Sequence, residues 1–193
     1  MRIIAGEFRS RRLISPPESV PTRPITDRVK EAVFNLLRGH FEGEAVVDGF
    51  AGSGSIGLEA LSRGAAHCLF VEQNRACAKT LAANIETLGV KDRSDLVIGD
   101  ALSPALLVRI RRRPHVIFFD PPYALAEDTE QWPRLVEQMV RLAAHMDPTG
   151  YFVLRTAWPL DGVALEHAGL LGPETHDYTT MAVHLYQPMM AEA

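Results

Sequence analysis

The sequence predicts an α/β fold, an open, mostly parallel sheet with helices on both faces. Three observations predict it. Five short apolar, β-rich runs alternate with helical stretches. A glycine-rich turn joins the first run to the helix after it. Two further β-rich runs close together near the end of the chain have the spacing of an antiparallel hairpin.

The elements follow in order. Arg2–Ala5 and Arg11–Ser15 read as two short strands turning at Gly6, and Pro16, Pro17, Pro21 and Pro24 as a stiff linker. Thr26 or Asp27 can cap a helix to about Arg38, with Val29, Ala32, Val33, Leu36 and Leu37 on one face and Gly39 just past its end. The five β-rich runs are Ala45–Asp48, His67–Glu72, Asp95–Gly99, His115–Asp120 and Gly150–Arg155. Helices are expected at Ile56–Arg63, Asn74–Leu88, Pro104–Arg111 and Thr129–Ala144. Strands alternating with helices imply parallel pairing through right-handed crossovers. His176–Thr180 and Ala182–Gln187 form the expected hairpin. No internal repeat or low-complexity segment interrupts the pattern. The reading divides the chain into a basic hairpin and linker, residues 1–25, and an α/β domain, residues 26–193.

Composition excludes several classes. Apolar residues at 47% and charged residues at 23% are those of a globular protein with a core. No run approaches the roughly 18 apolar residues of a membrane helix. Met1-Arg2-Ile3-Ile4 leads straight into patterned sequence, so no signal peptide is expected. Cys68 and Cys77 lack metal-like spacing and read as reduced thiols of a cytoplasmic protein. The seven histidines show no ligand spacing, so no metal is expected. The net charge of -4 hides an asymmetry. Residues 1–30 hold seven basic side chains (Arg2, Arg9, Arg11, Arg12, Arg23, Arg28, Lys30) against three acidic ones, a net +4, which leaves -8 for the remainder. A basic arm on an acidic body suits a phosphate-bearing partner, although a solvated charged hairpin has the same composition. Arg111-Arg112-Arg113 precedes a strand, at the sheet edge opposite Asp120, and reads as solvated surface.

Three sites carry chemistry. The first runs from Asp48 through Gly49, Phe50, Ala51, Gly52, Ser53 and Gly54 to Gly57. A strand ends in a carboxylate, a glycine turn follows, and a helix opens. Gly52 to Gly57 fits G-x-G-x-x-G, and Glu72, 20 residues after Gly52, ends the next strand where an acid suits two ribose hydroxyls. A nicotinamide dinucleotide and S-adenosylmethionine both satisfy this pattern. The second is Gly99-Asp100-Ala101, where Asp100 could accept from an adenine amino group. Strand-end Asp is also a routine turn residue. It gains weight because Asp48, Glu72 and Asp100 end successive strands, whose carboxyl ends meet at one ligand-binding edge.

The third site is Asp120-Pro121-Pro122-Tyr123, delivered by the buried run Ile117-Phe118-Phe119. Prolines stiffen the turn and leave their carbonyls as acceptors. Asp120 adds another acceptor, and Tyr123 a stacking face. An exocyclic base nitrogen needs such acceptors, because its lone pair is delocalised until its hydrogens are held and it can pyramidalise.

At these residues the sequence resembles a known family. Asp120-Pro121-Pro122-Tyr123 is similar to the motif of methyltransferases acting on base amino groups. DGFAGSGSIGLEALSR at Asp48–Arg63 resembles the RsmD family, as do RIIAGEFRSRRL at Arg2–Leu13, TRPITDRVKEAVFNLL at Thr22–Leu37 and YTTMAVHLYQ at Tyr178–Gln187. Thr179 stands where many of that family have glycine. The resemblance implies a Rossmann-like class I methyltransferase with a seven-stranded, mostly parallel sheet, an antiparallel C-terminal strand and a small N-terminal β-hairpin. It implies S-adenosylmethionine as donor and S-adenosylhomocysteine as product, with Glu72 and its neighbour Gln73 at the ribose. Asp100 and Ala101 would lie near the adenine, and the Gly52–Gly54 backbone at the methionine part. The implied partner is 16S ribosomal RNA in a small subunit or assembly intermediate. The implied reaction is guanine-N2 methylation of the guanine-966 type. Arg2, Arg9, Arg11, Arg12, Arg23 and Arg28 would contact the RNA, Asp120 to Tyr123 the target base, and the enzyme would act as a monomer. The rival readings are an adenine-N6 methyltransferase, a non-catalytic RNA-binding assembly factor and, more distantly, an NAD oxidoreductase.

Overall fold

The computed structural model describes residues 1–17, 25–157, 169–179 and 181–189. Arg23, with Pro21 and Pro24 of the expected linker, lies outside the described residues. The structure has a seven-stranded mixed sheet and divides into two compact units, Met1–Ala101 and Leu102–Ala193.

In the first unit, α1 (Asp27–Leu36) starts where the Thr26 hydroxyl accepts from the Val29 amide. Three parallel strands follow, β1 (Ala45–Asp48), β2 (His67–Glu72) and β3 (Ser94–Ile98), in the order β3-β2-β1. Between them lie α2 (Gly57–Ser62) and α3 (Arg75–Leu88). Asn74 caps α3 by accepting from the Ala76 and Cys77 amides, and Gly89 ends it at φ 69°. Helix α2 packs on β1 and β2, and α3 on β2 and β3. The inner strand β2 is buried along Cys68–Val71, as its unbroken apolar run requires, while β3 is half-exposed. The expected N-terminal strands reduce to one antiparallel bridge, Arg2 to Arg12. Runs of four and five residues hold few ladder bonds, and side chains of α1, α2 and α3 bond several of their other backbone groups.

In the second unit, β4 (Val116–Phe119) pairs in parallel with β5 (Tyr151–Thr156), which pairs antiparallel with β7 (Met181–Pro188). Strand β6 (Leu170–Tyr178) pairs antiparallel with β7, giving the order β4-β5-β7-β6. Here β6 is longer than the expected His176–Thr180, and Thr180 lies outside the described residues. Gly172 and Pro173 concealed its first half, where the register shifts between Leu171 and Glu174. The short α4 is Tyr123–Ala126 and α5 is Trp132–Ala143. Pro104–Arg109 is a 3-10 helix with only Leu106 buried, because its apolar positions make no continuous stripe. No helix among the described residues is long and apolar enough to cross a membrane.

Candidate functional site

In the first unit, Asp48 sits at the carboxyl end of β1 and is fully buried. Its Oδ2 accepts from the Gly57 amide at 2.9 Å, which closes the turn between strand and helix. Gly52 and Gly54 have φ of 56° and 86°, a region other residues enter at a cost. A Cβ on Gly54 would lie 2.3 Å from Leu81 Cδ1, and one on Gly57 2.3 Å from the Phe70 ring. Those two glycines are therefore packing positions. Gly52 differs, because among the described residues nothing lies within 4 Å of where its Cβ would be. Of Gly52, Gly54 and Gly57 it alone faces open space.

Glu72 reaches this loop directly. Its Oε2 accepts from the Gly52 amide at 2.7 Å and its Oε1 from the Asn74 amide at 2.6 Å. The carboxylate thus braces the turn, while each oxygen keeps a second lone pair for a ligand hydroxyl. Phe50 is half-buried and Ala51 buried, its amide bonded to the Val71 carbonyl. Ser53 is buried, Gln73 and Asp100 are exposed, and Ala101 is buried. The Gly99 amide donates to the Glu72 carbonyl at 3.1 Å, so Asp100 follows the strand beside Glu72. Asp48, Glu72 and Asp100 thus stand at the carboxyl ends of three adjacent parallel strands. An open backbone position, a braced glycine turn and strand-end carboxylates fit the ribose, adenine and amino-acid parts of S-adenosylmethionine. Among the described residues no group of His, Cys, Asp and Glu is arranged to hold a metal.

The basic arm proves to be docked. Ile3 and Leu13 are buried. The amides of Ile4 and Ala5 donate to the two oxygens of Glu59 at 2.7 and 3.0 Å. Ser62 Oγ donates to the Ala5 carbonyl and accepts from the Phe8 amide. Asn84 exchanges bonds with Ile14 and donates to the Ser53 carbonyl at 3.0 Å, joining the segment to the glycine turn. Lys30, counted in the sequence as part of the basic arm, is no surface charge. It is 1% exposed, and its Nζ lies 3.3 Å from Glu59 Oε2 and bonds the Arg2 carbonyl and Ser55. Burial pushes its pKa down, and Glu59 opposes that. Arg2, Arg9, Arg11, Arg12 and Arg28 are exposed. Arg2 pairs with Asp27 at 2.9 Å, and Arg11 donates to the Thr87 carbonyl.

In the second unit, Asp120 directly follows β4, and Pro122 is the N-cap residue of α4. The Pro122 carbonyl accepts from the Leu125 and Ala126 amides. Only the Pro121 carbonyl of the two prolines can therefore serve as an acceptor, where the sequence had suggested both. Tyr123 is half-buried at the first position of α4.

Sequence reading missed the partner of Asp120. Arg155 of β5 places Nε 2.5 Å from Asp120 Oδ1 and Nη2 2.7 Å from Oδ2. The two side chains are only 9% and 14% exposed. Burial pushes the Asp120 carboxyl above its usual range, while Arg155 pulls it back. The signal was a lone cation inside the apolar run Phe152-Val153-Leu154-Arg155.

A family model described as "Conserved hypothetical protein 95" matches residues 1–156. The chain is 42% identical over 125 residues to the Haemophilus influenzae protein "Ribosomal RNA small subunit methyltransferase D", covering 64% of each chain. It is 40% identical over 132 residues to the Escherichia coli (strain K12) protein of the same name, over 67% of this chain and 64% of that one. The chain thus spans a little under two thirds of these relatives. Among solved structures, yhhF of Escherichia coli matches with a TM-score of 0.80 and 29% identity, over 98% of both chains. HI0767 of Haemophilus influenzae matches with a TM-score of 0.72 and 28% identity, again over 98% of both.

Proposed function

This chain belongs to the RsmD family, whose model carries the description "Conserved hypothetical protein 95", and we propose that it is a cytoplasmic S-adenosylmethionine-dependent methyltransferase. Its target is the exocyclic N2 of a guanine in small-subunit ribosomal RNA, of the guanine-966 type. The observation that carries the reading is Asp120 at the end of β4, followed by a two-proline turn whose Pro122 carbonyl is taken up by the amides of α4. The names of the relatives, ribosomal RNA methyltransferases, agree with it.

When bound, S-adenosylmethionine supplies an electrophilic sulfonium methyl. The Gly52–Gly54 backbone, Glu72 with Gln73, Asp100 with Ala101, Asp48, Phe50 and Ala51 are assigned to hold it. Asp120 and the Pro121 carbonyl accept hydrogen bonds from the guanine N2 hydrogens. That draws the nitrogen out of conjugation and exposes its lone pair. The Tyr123 ring stacks on the base, which must be unpaired or flipped to reach it. Asp120 or water then takes the surplus proton. Arg9, Arg11, Arg12 and Arg28, exposed on the N-terminal segment and α1, are assigned to RNA phosphates, with Arg2 and Arg23. The substrate is a small ribosomal particle or assembly intermediate.

The test is single-turnover methylation of small ribosomal particles from cells lacking this activity. Asp120→Ala should abolish turnover and leave cofactor affinity within a few fold. Tyr123→Ala should impair both RNA engagement and rate, by about 1–3 kcal/mol of stacking. Tyr123→Phe keeps the ring and should retain most activity. Full activity in Asp120→Ala would refute the mechanism, and label recovered in N6-methyladenosine would refute the guanine assignment.

A further inference from the structure

The Asp120–Arg155 pair is buried and bidentate, and its arginine has no part in the reaction just described. An ionised carboxylate offers about four acceptor directions. The Arg155 fork occupies one on each oxygen, so each retains a lone pair. Arg155 is itself held, since its Nη1 lies 3.6 Å from Met181 Sδ of β7 and its Cζ 6.0 Å from the centre of the Tyr123 ring.

We infer that Arg155 is the positioning residue of this site: it fixes the orientation of Asp120 and holds it as an acceptor for the target amino group. The inference rests on the reading of Asp120 proposed above. A protonated Asp120 would set one O–H donor against the N–H of the base and leave only a neutral, weaker acceptor on its other oxygen. Burial of Asp120 favours that neutral form, and Arg155 is the charged group that opposes it. Tyr123 on α4 and Met181 on β7 border the guanidinium and bring no charge to it. Arginine suits the task better than lysine. It stays protonated at every working pH, and its planar fork matches both oxygens at once.

The experiment uses the full chain, with wild type, Arg155→Gln, Arg155→Lys and Asp120→Asn. Carbon-13 carboxyl NMR follows the titration of Asp120, assigned by its loss in Asp120→Asn. Single-turnover methylation of the same ribosomal particles follows rate against pH. Removing an opposite charge at this distance should raise the Asp120 midpoint by about one to three pH units. The acid limb of the rate should move with it, so that Arg155→Gln loses most at low pH and recovers toward high pH. Arg155→Lys keeps the charge without the fork. Its midpoint should stay near that of wild type while its rate falls about equally at all pH values. If Arg155→Gln does not fold, Arg155→Lys still decides, because wild-type rates there would overturn the positioning role. An unmoved Asp120 midpoint in folded Arg155→Gln, or a loss of rate independent of pH, would also overturn it. Full turnover in Asp120→Ala, run in the same assay, would instead sink the reading of Asp120, whatever Arg155 does. A slow Asp120→Asn beside an unaltered Arg155→Gln would sink this inference alone.

Discussion

Removal of Glu72 tests the cofactor assignment, and the structure separates two effects of the change. The carboxylate accepts from the Gly52 amide at 2.7 Å and the Asn74 amide at 2.6 Å. In Glu72→Ala the exposed Asn74 amide turns to water at little cost. The half-buried Gly52 amide loses a charge-assisted bond worth about 1.5–3 kcal/mol. At roughly 2–4 °C per kcal/mol for a chain of this size, melting should fall by about 3–12 °C. A ribose hydroxyl losing the same acceptor forfeits a similar amount, or roughly tenfold to a hundredfold in affinity. Glu72→Gln keeps an acceptor oxygen without the charge, so both losses should shrink. The assay is isothermal calorimetry with S-adenosylhomocysteine at a temperature where every variant is folded, beside thermal unfolding. A dissociation constant within twofold of wild type in Glu72→Ala, with a lowered melting point, would refute the ribose role. Glu72 would then be a brace for Gly52 only.

Other perturbations address other parts of the molecule. Replacing Arg9, Arg11 and Arg12 together with alanine should weaken binding of the ribosomal particle and flatten its salt dependence, by about 0.7 in log–log slope for each lost single-strand phosphate contact. Cofactor affinity should survive, and an unchanged slope would place RNA recognition elsewhere. Lys30→Met leaves Glu59 buried without its lysine, and removes a donor from the Arg2 carbonyl and from Ser55. Breaking a buried pair on one side costs about 3–5 kcal/mol, and because Glu59 keeps Arg63 Nε at 2.9 Å the loss should fall at or below the lower end of that range. Urea unfolding should show that loss, and a change below about 1 kcal/mol would mean the pair contributes little. His184, buried between Thr156 and Thr175, has its pKa lowered by burial, with Asp177 opposing. The folded chain therefore binds fewer protons than the unfolded one below its ordinary value of about 6.5. Stability is whole above that pH and falls, by up to about 1.4 kcal/mol per pH unit, until the folded pKa is reached. His184→Gln should flatten this acid slope in thermal scans, and an unchanged slope would assign it to other groups.

The turns were legible in the sequence, and the long-range partners were not. Asp48, Gly52, Glu72 and the Asp120–Tyr123 turn each announced themselves because their chemistry is local: a strand end, a glycine, two prolines. Asn84, Glu59, Lys30 and Arg155 act across 25 to 70 residues of chain. What they share is a polar group on an apolar face. Asn84 interrupts the buried stripe Cys77, Ala78, Leu81, Ile85, Leu88 of α3, and Glu59 lies among the fully buried residues of α2. Buried polar groups need partners. The interruption therefore marks these positions as bonded, but not to what.

Those partners decide how the N-terminal segment is to be understood. A solvated arm would present its arginines on a tether, and phosphate contacts would order it without consequence elsewhere. Here its backbone satisfies Glu59 and Ser62 of α2 and Asn84 of α3, and Asn84 and Lys30 also hold the carbonyls of Ser53 and Ser55. Stripping the segment away would leave a buried carboxylate without its two amide donors, and Asn84 without its bonds to Ile14. Glu59 would keep Lys30 and Arg63, but buried polar groups that lose part of their hydrogen bonding are costly, so the segment is part of the scaffold of the glycine turn. The exposed Arg9 and Arg12 are then carried on a folded support, and under their proposed assignment to RNA phosphates their spacing is set in advance. That favours recognition of a folded RNA surface, whose phosphates also have fixed spacing, over a flexible strand that a loose arm could follow equally well.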